Sequence, residues 1–270
     1  MSQDNQPDWN AMAEKFDLWV PFIKPVGDKM LAAIKINEGD YVLDVASGTG
    51  EPALSLAKEM QNKIRLIGTD AMEGMVKVAQ SKAFEFGFDQ VQFKTMPAEK
   101  LDFAENTFDK IICRFGVMLF QDPQQGLKEM HRVLKPGGHF VLAVWNTPET
   151  MPIMNWSYQV FKGKIDDAIL PAIEKLTSMS GVGVMDNLLE EAGFSEYEIK
   201  TEHLDYKFDS FQQYWDLVEA SDILKMQLDA LPEGLKPSVQ NELAQFAREH
   251  EQPGGQLSVP HQYLLVIGKK

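Results

Sequence analysis

The chain has 270 residues, with 40 Asp and Glu against 26 Lys and Arg, for a formal net charge of −14. Its length is enough to bury a full α/β core, and its acidity argues against nucleic acid as a partner, because phosphate binding rests on Lys and Arg. A single cysteine, Cys113, excludes an intrachain disulfide, and five scattered histidines argue against a dedicated metal site.

The N-terminal stretch is polar and acidic, without the basic start and apolar core of a signal peptide. No apolar run reaches the roughly 18 to 20 residues of a membrane span, so a cytoplasmic location is the expectation. Trp9, Ala13, Phe16 and Val20 are spaced as one apolar helix face. Pro21 and Pro25 should then break the chain before a second helix running to about Ile36. Asn37-Glu38-Gly39-Asp40 reads as a turn into a buried strand, Tyr41 to Val45. A helix from Pro52 to Met60 follows, then a strand from Lys63 to Thr69 ending at Asp70. The alternation continues with a helix (72–86), a strand (90–95), a strand (108–115) and a helix (123–134). Lys135-Pro136-Gly137-Gly138 should turn into a fifth strand, His139 to Trp145. This βαβα rhythm predicts a parallel sheet with helices on both faces. Beyond Trp145 it falters. Residues 147–180 and 209–255 read as helical insertions, long enough to serve as substrate lids. A helix to Ala192, a strand from Glu196 to Phe208 and a final strand from His261 to Gly268 complete the core. The expected division is a helical cap (1–36), a binding core (37–146), the two insertions, and remaining core elements (181–208 and 256–270) within one domain.

The strongest motif is Val42-Leu43-Asp44-Val45-Ala46-Ser47-Gly48-Thr49-Gly50, lying between a strand and a helix. Gly48 and Gly50 let backbone approach a ligand at the carboxyl end of the first strand, where doubly wound sheets bind. A dinucleotide would also use such a turn. Asp44, however, would repel a pyrophosphate and suit a cationic ligand. Asp70 closes the second strand, placed to accept both hydroxyls of a ribose, and Met96-Pro97-Ala98-Glu99 can border an adenine ring. Asp70 fits NAD equally well, so the other two features decide between the readings.

These residues resemble class I S-adenosylmethionine methyltransferases, in particular those of ubiquinone and menaquinone biosynthesis and their small-molecule relatives. The resemblance rests on Leu43 to Gly50, Gly68-Thr69-Asp70, Pro97-Ala98-Glu99 with Thr107-Phe108-Asp109, and Leu134-Lys135-Pro136-Gly137-Gly138. It implies a doubly wound, mostly parallel seven-stranded sheet with an antiparallel C-terminal strand. It implies that S-adenosylmethionine is bound, with S-adenosylhomocysteine as product and no metal, and that a small-molecule carbon, nitrogen or oxygen is methylated. On the same resemblance, Asp44 holds the methionine amino group, while Ala46, Ser47, Gly48, Thr49 and Gly50 surround methionine and ribose. Asp70 binds the ribose hydroxyls; Ala71 and Met72 flank the adenine, and Ala98 meets its edge. Pro97 stands where the family often has Asp, and Glu99 follows. Arg114 and Phe115 border the methionine end and the substrate mouth, and an N-terminal aromatic, Trp19 among them, closes over the pocket.

Cys113 reads as a small buried strand residue; Tyr158, Tyr214 and Trp215, in the insertions, could line an apolar substrate site, though each alone reads as core. No general base identifies itself, His203 and His261 being the weak candidates, so alignment of the acceptor with the S–CH3 bond should dominate catalysis. The competing readings are an NAD-dependent oxidoreductase, which Asp44 disfavours, and a non-catalytic cofactor- or partner-binding protein of the same fold.

Overall fold

The computed structural model describes residues 9–270. Five strands run parallel: β1 (Tyr41–Val45), β2 (Arg65–Asp70), β3 (Val91–Thr95), β4 (Phe108–Arg114) and β5 (Leu134–Trp145). With β6 (Glu196–Phe208) and β7 (Leu257–Lys269) they form one sheet in the order β3-β2-β1-β4-β5-β7-β6. β7 runs antiparallel to both its neighbours. This is the mostly parallel, doubly wound sheet that the sequence predicts. Val42, Leu43, Ile111, Ile112 and Cys113 are fully buried, as central strands covered on both faces require.

The helices are α1 (Trp9–Phe16), α2 (Val20–Ala33), α3 (Ala53–Glu59), α4 (Glu73–Glu85), α5 (Pro123–Val133), α6 (Pro152–Phe161), α7 (Ile173–Leu176), α8 (Val184–Glu191), α9 (Phe211–Ala220), α10 (Asp222–Asp229) and α11 (Lys236–Arg248). α5 starts as its sequence dictates: the Asp122 side chain accepts from the Gln125 amide at 2.9 Å, and Pro123 occupies the first turn.

Three boundaries differ from expectation. The break between α1 and α2 falls before Pro21, which takes a first-turn position, and Pro25 lies inside α2 instead of ending a helix. Burial of Ile23, Val26, Gly27 and Met30 against the sheet sustains the helix although Pro25 gives it no N–H. β5 starts at Leu134, paired with Phe108, and a register shift precedes the pairing of His139 with Lys110. The Lys135-Pro136-Gly137-Gly138 turn is thereby absorbed into the strand. β7 begins at Leu257 rather than His261, because β6 pairs with it over its whole length. The Trp9 side chain, expected on the first apolar face, lies outside the described residues.

Strand register places the site. Asp44 pairs with Gly68 and Ile112, Arg114 with Ala143, Ala143 with Leu265, Trp145 with Tyr263, and His261 with Leu204. Paired residues share a face and successive ones alternate. Asp44, Arg114, Trp145, Tyr263, His261 and Tyr206 therefore all face one side, the side α2 packs on. His203 faces the other. The segments 147–180 and 209–255 pack on each other, through Lys164–Glu242 (2.6 Å) and the Gln227 side-chain amide donating to the Ile169 carbonyl (3.1 Å). α10 also reaches α1. Among the described residues no helix is long and apolar enough to cross a membrane.

Candidate active site

The loop leaving β1 is bent by three residues with left-handed backbone, Ala46 (φ 56°), Gly48 (φ 53°) and Gly50 (φ 103°). Only glycine adopts that conformation freely, and Ala46 stores strain there. The Ser47 amide donates to the Thr69 carbonyl at 2.9 Å, tying the loop to β2. Asp70, at the end of β2, accepts from the Gly48 amide through Oδ2 and the Met72 amide through Oδ1, both at 2.9 Å. It fixes the glycine loop and the start of α4 together, and each oxygen keeps acceptor capacity for a second donor. Burial raises the Asp70 pKa, and the two amides pull it back.

Asp44 is 1% exposed, and its carboxylate oxygens make no well-formed hydrogen bond among the described residues. Burial pushes its pKa up to about 7, although the charge of Arg114 and the Ala53 backbone amide at the start of α3 oppose the shift. An unpaired buried carboxylate is costly, and natural structures keep one where a cation or donor is to be received. The Ser47 and Thr69 hydroxyls beside the loop are likewise buried without partners among the described residues.

The N-terminal helices cover this loop. Asp17, in the α1–α2 turn, accepts from the Thr49 hydroxyl at 2.6 Å and pairs with Lys82 of α4 at 2.5 Å, while Lys82 also donates to the Thr49 carbonyl at 3.1 Å. Arg114, 9% exposed, donates to the Ile23 carbonyl of α2 (3.3 Å) and the Glu51 carbonyl (2.8 Å). Burial lowers its pKa, and the charges of Asp44 and Glu51 oppose that. Gly27 allows the close approach, for a Cβ there would lie 3.1 Å from Pro52 and 3.4 Å from the Arg114 guanidinium. Sequence reading missed Asp17 and Lys82, which join the site only through tertiary contact.

The remaining expected residues distribute as follows. Ala71 is exposed and Met72 half-buried at the start of α4; Pro97 is exposed and Ala98 buried beyond β3. Glu99 turns elsewhere, its Oε1 accepting from the Gln121 (2.7 Å) and Asp122 (3.2 Å) amides ahead of α5. Phe115, with φ 58°, stacks on Trp145 at 3.9 Å between centroids. Tyr263 meets Phe115 edge-on at 6.2 Å, and Tyr206 lies 6.5 Å from Trp19 and 5.8 Å from Phe22. An aromatic wall thus stands at the carboxyl ends of β4 and β5, beside the glycine loop. The Trp19 indole Nε1 is buried there with no partner among the described residues. Trp145 could have been found from sequence, since it ends a parallel strand; Tyr206 and Tyr263 carry no such signal.

The two histidine candidates are not brought together. His203 is exposed. His261 is 2% exposed, stacked on Tyr206 at 4.4 Å and 6.1 Å from Trp145. Burial lowers its pKa to about 4. His250 packs by Trp156 at 5.3 Å, and His131 meets Phe194 edge-on at 4.9 Å. Cys113, Tyr214 and Trp215 are core, as expected, whereas Tyr158 is only half-buried, with the Lys162 ammonium 5.3 Å from its ring centroid.

Comparison with known proteins adds to this geometry. The family model described as the ubiE/COQ5 methyltransferase family matches residues 12–201. A demethylmenaquinone methyltransferase of Bacteroides fragilis is 34% identical over 188 residues, covering 64% of this chain and 74% of that protein. A ubiquinone/menaquinone biosynthesis C-methyltransferase UbiE of Geobacter sulfurreducens is 33% identical, over 61% of this chain and 64% of its own length. Among solved structures, the YcgJ protein of Bacillus subtilis superposes over 92% of this chain and 98% of its own with a TM-score of 0.61 at 22% identity. A SAM-dependent methyltransferase of Aquifex aeolicus does so over 70% and 90%, with a TM-score of 0.54 at 24% identity. Both structural likenesses concern the fold.

Proposed function

The chain belongs to the ubiE/COQ5 methyltransferase family, and from that premise we propose that it binds S-adenosylmethionine over the glycine loop and methylates a ring carbon of a small, planar, quinol-type acceptor. The observation that carries the cofactor reading is the buried Asp44 carboxylate, lacking partners among the described residues at the end of β1. A ligand bearing an α-amino group and a sulfonium satisfies it, whereas a pyrophosphate is repelled. The residues present fit the group. S-adenosylmethionine, when bound, supplies a methyl group already activated by a cationic sulfur.

The chain's own contribution is binding and alignment. Asp44 holds the amino group, and backbone from Ala46 through Ser47, Gly48, Thr49 and Gly50 lines the cradle. Asp70 accepts from the ribose hydroxyls while keeping its two backbone amides. Ala71, Met72, Pro97 and Ala98 border the adenine, and Trp19, Arg114 and Phe115 border the methionine end and the mouth of the acceptor site. Orientation of the acceptor against the methyl group supplies up to roughly 7 to 11 kcal/mol in favourable cases. The aromatic wall of Phe115, Trp145, Tyr206 and Tyr263 excludes water and offers flat surfaces to a planar ring. The names of the relatives, quinone methyltransferases, support that acceptor class.

Two measurements test the reading. Calorimetry should show S-adenosylhomocysteine binding and NAD failing to bind. Methyl-labelled S-adenosylmethionine should then pass label to reduced demethylmenaquinone. Tight NAD binding without S-adenosylhomocysteine binding overturns the cofactor assignment; cofactor binding without label transfer overturns the acceptor.

A further inference from the structure

Resting on the acceptor reading above, we propose that His261 is the general base of the reaction: its Nε2 takes the proton of a ring hydroxyl as the neighbouring ring carbon is methylated. Four observations carry this. Strand register puts His261 on the same face as Asp44 and Arg114, beyond the carboxyl end of β5. The His261 ring is 3.0 Å from the Val259 carbonyl through Nδ1, and a carbonyl can only accept, so Nδ1 bears the hydrogen and Nε2 the lone pair. That is its one hydrogen bond among the described residues. The ring sits in the aromatic wall, stacked on Tyr206 and near Trp145. Finally, the Trp19 Nε1 donor, buried and without a partner among the described residues, belongs to the same wall through Tyr206. One free acceptor and one free donor in an aromatic-walled site match a dihydroxylated aromatic ring, one hydroxyl donating to His261 and the other oxygen accepting from Trp19.

The titratable and charged groups about His261 are Tyr206 from β6, Tyr263 from β7, His250 beyond α11, and Arg114, which acts on Tyr206. Burial keeps the imidazole unprotonated at physiological pH but also weakens it as a base, so the proton moves to Nε2 in concert with formation of the bond to the methyl carbon rather than ahead of it. In the step itself, the hydroxyl proton passes to Nε2 and the oxygen's electrons move into the ring. The ring carbon bonds to the methyl carbon, and the S–CH3 bond breaks with its pair left on sulfur. The imidazolium returns its proton to the ring oxygen as the hydrogen on the methylated carbon leaves to water, restoring the aromatic diol. His261 lies outside residues 12–201, which the family model matches, so the assignment rests on this structure and not on the family match.

The test compares the full-length protein with His261→Asn, which keeps a donor for Val259 and removes the basic nitrogen. Turnover of reduced demethylmenaquinone should fall by about 10²–10⁴-fold in kcat, with S-adenosylhomocysteine affinity unchanged. Independently of turnover, histidine ¹⁵N spectra of the S-adenosylhomocysteine-bound wild type should show a bare His261 Nε2. That resonance should shift when 1,4-naphthohydroquinone is added. Wild-type kcat in H261N overturns the assignment, as does joint loss of turnover and cofactor affinity, which marks a packing role. If H261N does not fold, an Nε2 resonance that is protonated or unmoved by the diol overturns it. A wild type that binds S-adenosylhomocysteine yet transfers no label sinks the acceptor reading, and this base with it.

Discussion

At the carboxyl ends of β1 and β2 the groups proposed to face the ligand are backbone amides and two carboxylates, Asp44 and Asp70, set by a glycine-bent loop. At the ends of β4 and β5, with β6 and β7 alongside, they are rings: Phe115, Trp145, Tyr206, Tyr263 and His261. On the proposed reading the first region recognises by charge and main-chain geometry, which few residues can supply. The second recognises by shape and apolar surface, which many residues supply, so it can change acceptor without disturbing the cofactor. The family match reaches only to residue 201, which leaves Tyr206, His261 and Tyr263 outside it.

Substitutions can break this contrast. Asp44→Asn should have the largest effect, weakening S-adenosylhomocysteine about 100-fold, or about 3 kcal/mol, by calorimetry. The ligand-free thermal midpoint should not fall, because the change removes a buried charge without hydrogen-bond partners among the described residues. A lost midpoint with unchanged affinity would make Asp44 a scaffold residue. The wild type carries a pH signature of the same group. Its folded pKa of about 7 lies above the ordinary carboxylate value, so ionisation opposes folding. Ligand-free stability from Asp44 is therefore greatest below pH 4 and declines as pH rises to about 7. Affinity for the cationic amino group rises over that interval and levels off above it, and Asp44→Asn should abolish the rise.

Asp70→Ala should lose both stability and affinity, about 1–3 kcal/mol in denaturant unfolding, because the Gly48 and Met72 amides lose their acceptor. Smaller still is Trp19→Phe, which deletes only the indole donor. It should raise the acceptor KM about fivefold, the worth of one neutral hydrogen bond, with the cofactor unaffected. If it weakens S-adenosylhomocysteine instead, Trp19 belongs to the first region and the border between the two moves. Glu99→Gln should change least, below about 1 kcal/mol in stability and nothing in cofactor affinity, since a carbonyl oxygen still serves the Gln121 and Asp122 amides.

The first region was legible in the sequence for a physical reason. Gly48 and Gly50 supply left-handed backbone that glycine adopts freely, Asp44 stands a few residues before them, and Asp70 closes the next strand of the βαβ unit. Gly48, Gly50, Asp44 and Asp70 could be read off the chain and occur together in space. The parallel run of β1 to β5 followed from the βαβ rhythm, because parallel strands need crossovers, whereas the order of the strands has no such signal. Pro25 misled because local propensity yields to the burial of Ile23, Val26 and Met30. The aromatic wall was mostly illegible: Trp19, Trp145, Tyr206 and His261 come from four distant segments and obey no spacing. The tie from Asp17 to Thr49 and Lys82 also has no local pattern, for each partner sits on a different element.

That three-residue tie has a kinetic consequence. With the proposed cofactor seated over the glycine loop, any lift of the α1–α2 turn away from that loop parts the partly exposed pair of Asp17 and Lys82. Added electrolyte screens such a pair, so on that proposed reading rising ionic strength should shorten the dwell time of the used ligand while leaving the methyl-transfer step itself alone.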